Sequence, residues 1–307
     1  MRFNGRGDNM LSYFSFQEIV DEATKQGKKI SEVILHDQAL QLNRPEEVIF
    51  NQMEASFDVM IESTHIGSDA NLRSASSLTG GEGARLLRYA KEQNGGIGGE
   101  FFTKVIARAM STSNCNAAMG KIVATPTAGS CGILPGILTT LYEDEKIPKR
   151  DIVMAIFTAA GFGIVIAKNA SIAGAEGGCQ AECGSASGMA AAALVELKGG
   201  TPQQCADALG MSLVNQLGLV CDPVAGLVEI PCIKRNASGA AIALTSATMA
   251  LAGVPLYIPP DECLQAMKVV GDTMSSTLKE TALGGLAATP TGKALRKKVY
   301  GEETPNV

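Results

Sequence analysis

The chain contains no tryptophan and only two histidines, and aromatic residues make up 5% of its 307 positions. Base-stacking surfaces need aromatic faces. Their scarcity, with a net charge of −5, argues against nucleic-acid binding, which usually calls for a basic surface. Charged residues are also sparse, at 19% against 46% hydrophobic, so much of the chain is expected to be buried. Alternating runs of Val, Ile, Thr and Tyr are rare, which makes an extensive sheet improbable. There is no GxxxxGK[ST] phosphate loop, and no glycine cluster follows a convincing strand, so a dinucleotide fold is poorly supported. The opening "MRFNGRGDNMLSYFSF" lacks the apolar stretch of a secretory leader, and Met10 offers an alternative start. Eight cysteines without such a leader point to a reducing, cytoplasmic compartment, where thiols serve as metal ligands, catalytic groups or core residues.

What is abundant is glycine, 34 residues, together with Ala-rich runs that favour helices. Ser15 followed by Glu18 predicts a capped helix to about residue 25. A short helix is expected over 31–37, and Pro45 opens a longer one in which Ile49, Met53, Phe57 and Met60 recur at helical spacing. Thr201-Pro202 and Pro259-Pro260-Asp261 start two more. Residues 152–167 and 236–260 are uncharged. The first is too short for a membrane span and the second is rich in Ala, Ser and Thr, so both read as buried core helices. The fold class expected is all-α, one large domain without linker or repeat. An amphipathic helical region covers 1–65, glycine-rich loops converge on one site over 66–290, and a charged tail over 291–307 frays.

The cysteines divide by context. Cys115, Cys205 and Cys263 have ordinary surroundings and read as small buried hydrophobes. Cys179, Cys221 and Cys232 sit in sequence rich in Gly, Pro and acidic residues. The last two fall in "VCDPVAGLVEIPCIKRN" (220–236), too far apart for a zinc knuckle or a redox pair. Three thiolates from such loops fit an iron–sulfur cluster with one iron lacking a thiolate, or a zinc site with an open position.

The stretches "AEGGCQAECGSASGMAAA", "LGLVCDPVAGLVEIPCIKRNASGA" and "ATPTAGSCGILPG" closely resemble the α subunit of iron–sulfur-dependent bacterial L-serine dehydratase. The resemblance extends to "LRSASSLTGGEGARL" and "KETALGGLA", and so covers nearly the whole chain. It implies a largely helical catalytic domain that deaminates L-serine to pyruvate and ammonia with a [4Fe–4S] cluster and no pyridoxal phosphate. It also implies that Cys179, Cys221 and Cys232 are the cluster ligands. Two-chain members pair this subunit with a smaller β subunit, so a separate β partner and a hetero-oligomer are expected. Two features depart from the family. Cys183 stands where valine is more usual, one helical turn from Cys179 on the same face, and reads as core packing, with a rival cluster ligand as the alternative. The chain ends "TPNV", without the terminal cysteine of single-chain members.

The chemistry asks for three things. A Lewis acid is needed for the poor hydroxyl leaving group, donors for the substrate carboxylate, and a base for the α-proton. The hydroxyls of Ser74, Ser76, Thr125, Thr127 and Ser130 are the candidate substrate-binding groups, although the same residues are ordinary turn formers. Lys168, Glu176 and His65 are the candidates for the base. Lys121, Glu182, Asp222 and Arg235 are also charged residues within or beside the motifs, each able instead to orient a ligand or close an ion pair. His36 reads as a surface residue. Two other functions use the same residues: a cluster lyase acting on cysteine, and a non-catalytic partner subunit.

Overall fold

The computed structural model describes residues 13–301. Thirteen α-helices make up the described residues, joined by short 3₁₀ turns, and the only β-type pairing among them is one isolated parallel bridge between Cys221 and Lys279. The all-α expectation is met. Met10 and residues 302–307 lie outside the described residues.

The helix starts follow local chemistry. In α1 (Phe16–Gln26) the Ser15 hydroxyl accepts from the Glu18 N–H, and Gly27 closes the helix in the left-handed region, where glycine carries no Cβ penalty. Helix α2 (Ile30–Leu42) runs longer than the short helix expected there. Pro45 is the N-cap of α3 (Glu46–Gly67), which buries Ile49, Phe57 and Met60. Then come α4 (Glu82–Glu92), α5 (Gly99–Ala117), α6 (Ile133–Glu143) and α7 (Lys149–Asn169). By length and composition α7 resembles a membrane span, but 67% of its apolar window is buried inside the fold. Its place is therefore that of a core helix.

The second half contains the short α8 (Gly174–Gly177), a π-helical turn over Gln180–Gly184, and α9 (Ser185–Leu197), buried over nearly its whole length. Helix α10 (Pro202–Val214) opens with a full capping box, Thr201 and Gln204 each serving the other's backbone N–H. The chain ends with α11 (Cys232–Leu251), α12 (Pro260–Thr273) and α13 (Pro290–Tyr300). The last of these corrects the fraying tail: Thr289 caps it by accepting from the Gly292 N–H, and Pro290 suits its first turn.

A small second cluster joins Met110, Ala117 and Ile233, and the main apolar core runs from Phe16 and Ile19 of α1 to Leu264 and Met267 of α12. Helix α9 lies at its centre, packed against α7, α10 and α11. Its run of buried alanines, 190–193, lets those neighbours approach closely. The start of α9 is consequently held rigidly, and the cysteine-bearing π turn leads directly into it.

Candidate active site

The buried cysteines Cys179, Cys221 and Cys232 come from three separate segments. Cys179 immediately precedes the π turn and Cys232 is the first residue of α11. Both therefore sit at amino ends of helical segments, whose partial positive charge favours a thiolate. The residue before Cys179, Gly178, has φ +75°, and a Cβ there would lie 2.9 Å from the Leu219 carbonyl oxygen, so only glycine fits. Cys221 lies in extended backbone. Its N–H donates to Leu278 O at 2.8 Å and its carbonyl accepts from the Glu280 N–H at 2.7 Å.

Glu182 joins these thiols to the hydroxyl-rich loop. Its Oε1 accepts from the Thr127 hydroxyl at 2.7 Å, and its Oε2 lies 3.8 Å from Cys221 Sγ. Thr127 in turn contacts Ser130 Oγ at 3.2 Å, and the Ser130 hydroxyl donates to Thr125 O. The space around this carboxylate is made by glycines. A methyl group on Gly174 would fall 2.7 Å from Glu182 Oε2 and 2.9 Å from Cys221 Sγ, and one on Gly129 would fall 2.8 Å from Glu182 Oε1.

Two further residues fix the frame. Asp222, buried at 3% exposure, accepts from Arg235 Nη2 at 2.7 Å and from the Leu286 N–H at 2.7 Å. Arg235 also donates to Val220 O, so the stretch carrying Cys221 is tied to α11 on both sides. Asn236 accepts from the Gly132 N–H at 2.8 Å and donates to Gly129 O at 2.7 Å and to Cys232 O at 3.0 Å. It thereby clamps the Thr125–Ser130 loop onto the start of α11.

The electrostatics follow from burial. Burial first, then the neighbouring Cys179, pushes the Cys232 thiol up to about 12. The same causes, with Glu182, raise Cys221 further. Cys179 goes the other way: contact with the Cys183 thiol and the nearby Arg235 guanidinium lower it against the cost of burial. Burial raises Glu182, opposed by the Thr127 hydroxyl.

Ser74 and Ser76 belong to a neighbouring polar group. The Ser76 hydroxyl reaches the two Glu229 oxygens at 2.8 and 2.9 Å, the Thr79 hydroxyl donates to Glu229 Oε2 at 2.7 Å, and Ser74 Oγ lies 3.3 Å from Ser76 Oγ. Glu229, 5% exposed, stands three residues before Cys232. Glu229 and Asn236 are site residues that sequence reasoning passed over. Both lie inside the 220–236 stretch, and the signal was a lone acid within an otherwise apolar run and an asparagine in the first turn of a helix.

The three residues named as candidate bases are not brought together. His65 Nε2 pairs with Glu143 Oε1 at 2.6 Å, with its side chain 59% exposed. Glu143 is the last residue of α6, whose eleven residues put it about 16 Å along the axis from the Thr125–Ser130 end. Lys168 Nζ donates to Tyr13 O at 3.1 Å and lies over the Phe14 ring. Glu176 is exposed and lines a small surface cleft with Ser171, Gln180, Lys268 and Asp272. Lys121 is exposed, and His36 pairs with Glu46 on the surface. Cys115, Cys205 and Cys263 are buried in the core as expected.

The residues that gather here fall within the stretches that carry the resemblance in sequence. The family model for the serine dehydratase alpha chain matches residues 25–287. The chain is 47% identical over 285 residues to the probable L-serine dehydratase alpha chain of Bacillus subtilis, covering 93% of this chain and 94% of that protein. It is 46% identical to the L-serine dehydratase alpha chain of Peptoniphilus asaccharolyticus, covering 93% and 98%. It is also 36% identical to the L-serine dehydratase of Mycobacterium bovis, over 90% of this chain but only 61% of that longer protein. The chain belongs to the serine dehydratase alpha-chain family, a family of lyases.

Proposed function

We propose that this chain is the catalytic α subunit of an iron–sulfur L-serine dehydratase that converts L-serine to pyruvate and ammonia together with a separate β subunit. The observation that carries the reading is the meeting of Cys179, Cys221 and Cys232, from three segments, with the Thr127–Ser130 loop around one buried carboxylate. The donor set suits a cluster. Each iron of a cluster takes its own thiolate, and three cysteines from separate segments leave one iron without one. The side-chain-free face of Gly174, against Cys221 and Glu182, adds room that a Cβ would close.

Bound to Cys179, Cys221 and Cys232, a [4Fe–4S] cluster with one iron free of thiolate would supply the Lewis acid for the serine hydroxyl. The chain's own groups do the rest. On substrate binding the hydroxyls of Thr127 and Ser130 exchange their bonds to Glu182 and Thr125 O for the substrate carboxylate, beside the backbone N–H groups around Gly129. Glu182, 3.8 Å from Cys221 Sγ and hydrogen-bonded to Thr127 of this loop, is the side chain we assign to take the α-proton, in preference to Lys168, Glu176 or His65. Loss of that proton and of the hydroxyl leaves aminoacrylate, which becomes an imine and hydrolyses to pyruvate and ammonia. Asp222 and Arg235 keep Cys221 in register with α11.

Anaerobically prepared protein, co-expressed with its β partner, is expected to absorb near 400 nm and to form pyruvate from L-serine without pyridoxal phosphate. Cys221→Ser should lose both the absorbance and the turnover. Full activity in colourless, iron-free protein would reject the proposal, and a higher specificity constant for cysteine than for serine would reassign the substrate.

A further inference from the structure

The π turn brings a fourth thiol into the site. Cys179 and Cys183 are four residues apart, and their Sγ atoms stand 3.4 Å from one another. The π turn over Gln180–Gly184 carries one more residue per turn than an α-helix, a distortion that collects at functional sites. Cys183 is 1% exposed, and the only hydrogen-bond partner of its sulfur among the described residues is Cys179, whose thiol is the donor when protonated; as a thiolate ligand Cys179 has no proton to give, so the donor becomes Cys183.

Two thiolates bound to different irons are held apart by the cluster between them. Sulfurs in mutual contact therefore share one corner of the site, and only one of them can be a ligand. Cys179 lies at the amino end of the turn, beside Arg235. Cys183 faces inward, where the Ser187 hydroxyl donates to its carbonyl oxygen at 2.7 Å.

We propose that Cys183 is a positioning residue whose thiol donates an S–H···S hydrogen bond to the Cys179 ligand sulfur, fixing its orientation and raising the reduction potential of the cluster. The inference rests on the cluster reading above. A donor aimed at a ligand sulfur withdraws charge from it, favours the more negative reduced state and so raises the potential. Valine at this position would keep the volume and remove the donor, while serine would keep a donor.

The test uses the reconstituted α–β complex under anaerobic conditions. Cys183→Val is expected to retain the absorbance near 400 nm but to titrate at a lower reduction potential than the unmodified complex, with Cys183→Ser remaining close to it. The infrared difference between unmodified and Cys183→Val proteins should contain a sulfhydryl stretching band displaced to low frequency, as a donating thiol requires. An unchanged potential in Cys183→Val, or loss of the cluster from Cys183→Val with retention in Cys179→Ala, overturns the inference. If Cys183→Val does not fold, as judged by circular dichroism, Cys183→Ala carries the same comparison. An unmodified complex that binds no cluster rejects the proposed function itself, and the inference falls with it.

Discussion

Glu196 is a carboxyl group placed where water scarcely reaches it. It lies on α9 at 6% exposure and accepts from the Ser31 N–H at 3.1 Å. Burial raises its pKa above the ordinary 4.5, opposed by the hydrogen bonds from Ser31. The folded protein therefore holds this proton to higher pH than the unfolded chain does. The stability it contributes is complete below pH 4.5 and is lost as pH rises through the raised folded value. Glu196→Gln keeps an acceptor for Ser31 and removes the ionisation. Its unfolding free energy, measured by denaturant across this range, is expected to lose that downward slope and to exceed that of the unmodified protein at neutral pH. Glu182 makes the matching residue-scale prediction for catalysis: Glu182→Gln should lower kcat about 100-fold or more if it takes the α-proton, with the cluster absorbance retained. That Cys179, Cys221 and Cys232 stand apart from the other cysteines was legible because glycine and proline around them mark loops, and their contexts are unlike those of Cys115 or Cys205. The placement of Glu182 between Cys221 and the Thr127 hydroxyl was not legible. His65 and Lys168 are chemically apt, but what they touch depends on Glu143 and Tyr13, neither adjacent in sequence.

At the scale of elements, Asn236 does the most with one side chain. It joins α11 to the Thr125–Ser130 loop and to the start of α6. Asn236→Ala would leave the buried Gly132 N–H and Gly129 C=O without partners, at a cost of about 3 kcal/mol. That loss should appear as a lower denaturation midpoint with an unchanged denaturant slope. Elements begun by local chemistry were readable, since Ser15, Pro45, Thr201 and Pro260 mark helix starts by satisfying or sparing backbone N–H groups. The π turn was not, because the extra residue between Cys179 and Ser185 is accommodated by packing around α9 and leaves no mark in composition. Helix α13 was also missed. Its charges suggested solvent exposure, but Tyr300 donates to Ala225 O at 3.1 Å and ties the helix to the loop before Cys232.

For the whole molecule, the relevant comparison is length. This chain covers 94% and 98% of two relatives named as alpha chains, but 61% of the M. bovis L-serine dehydratase. On the proposed function, the alpha-chain relatives point to a second polypeptide, a β subunit, as the partner. Sedimentation of the co-expressed pair should show one species heavier than this 31.9 kDa chain, and pyruvate formation should depend on the presence of both. The all-α class followed from the scarcity of strand-forming runs, and the large main core from the low charge content.

The backbone bonds between Cys221 and residues 278–280, with the Asp222 contact to Leu286, also set an order of events during synthesis. Every cysteine has left the ribosome by the time residue 263 emerges, but the segment that pins Cys221 and Asp222 is made later. A growing chain thus carries all of its thiols before it can hold them in place. On the proposed function, insertion of the cluster accordingly belongs after translation has passed this segment, and a chain cut short before it would present loose thiols.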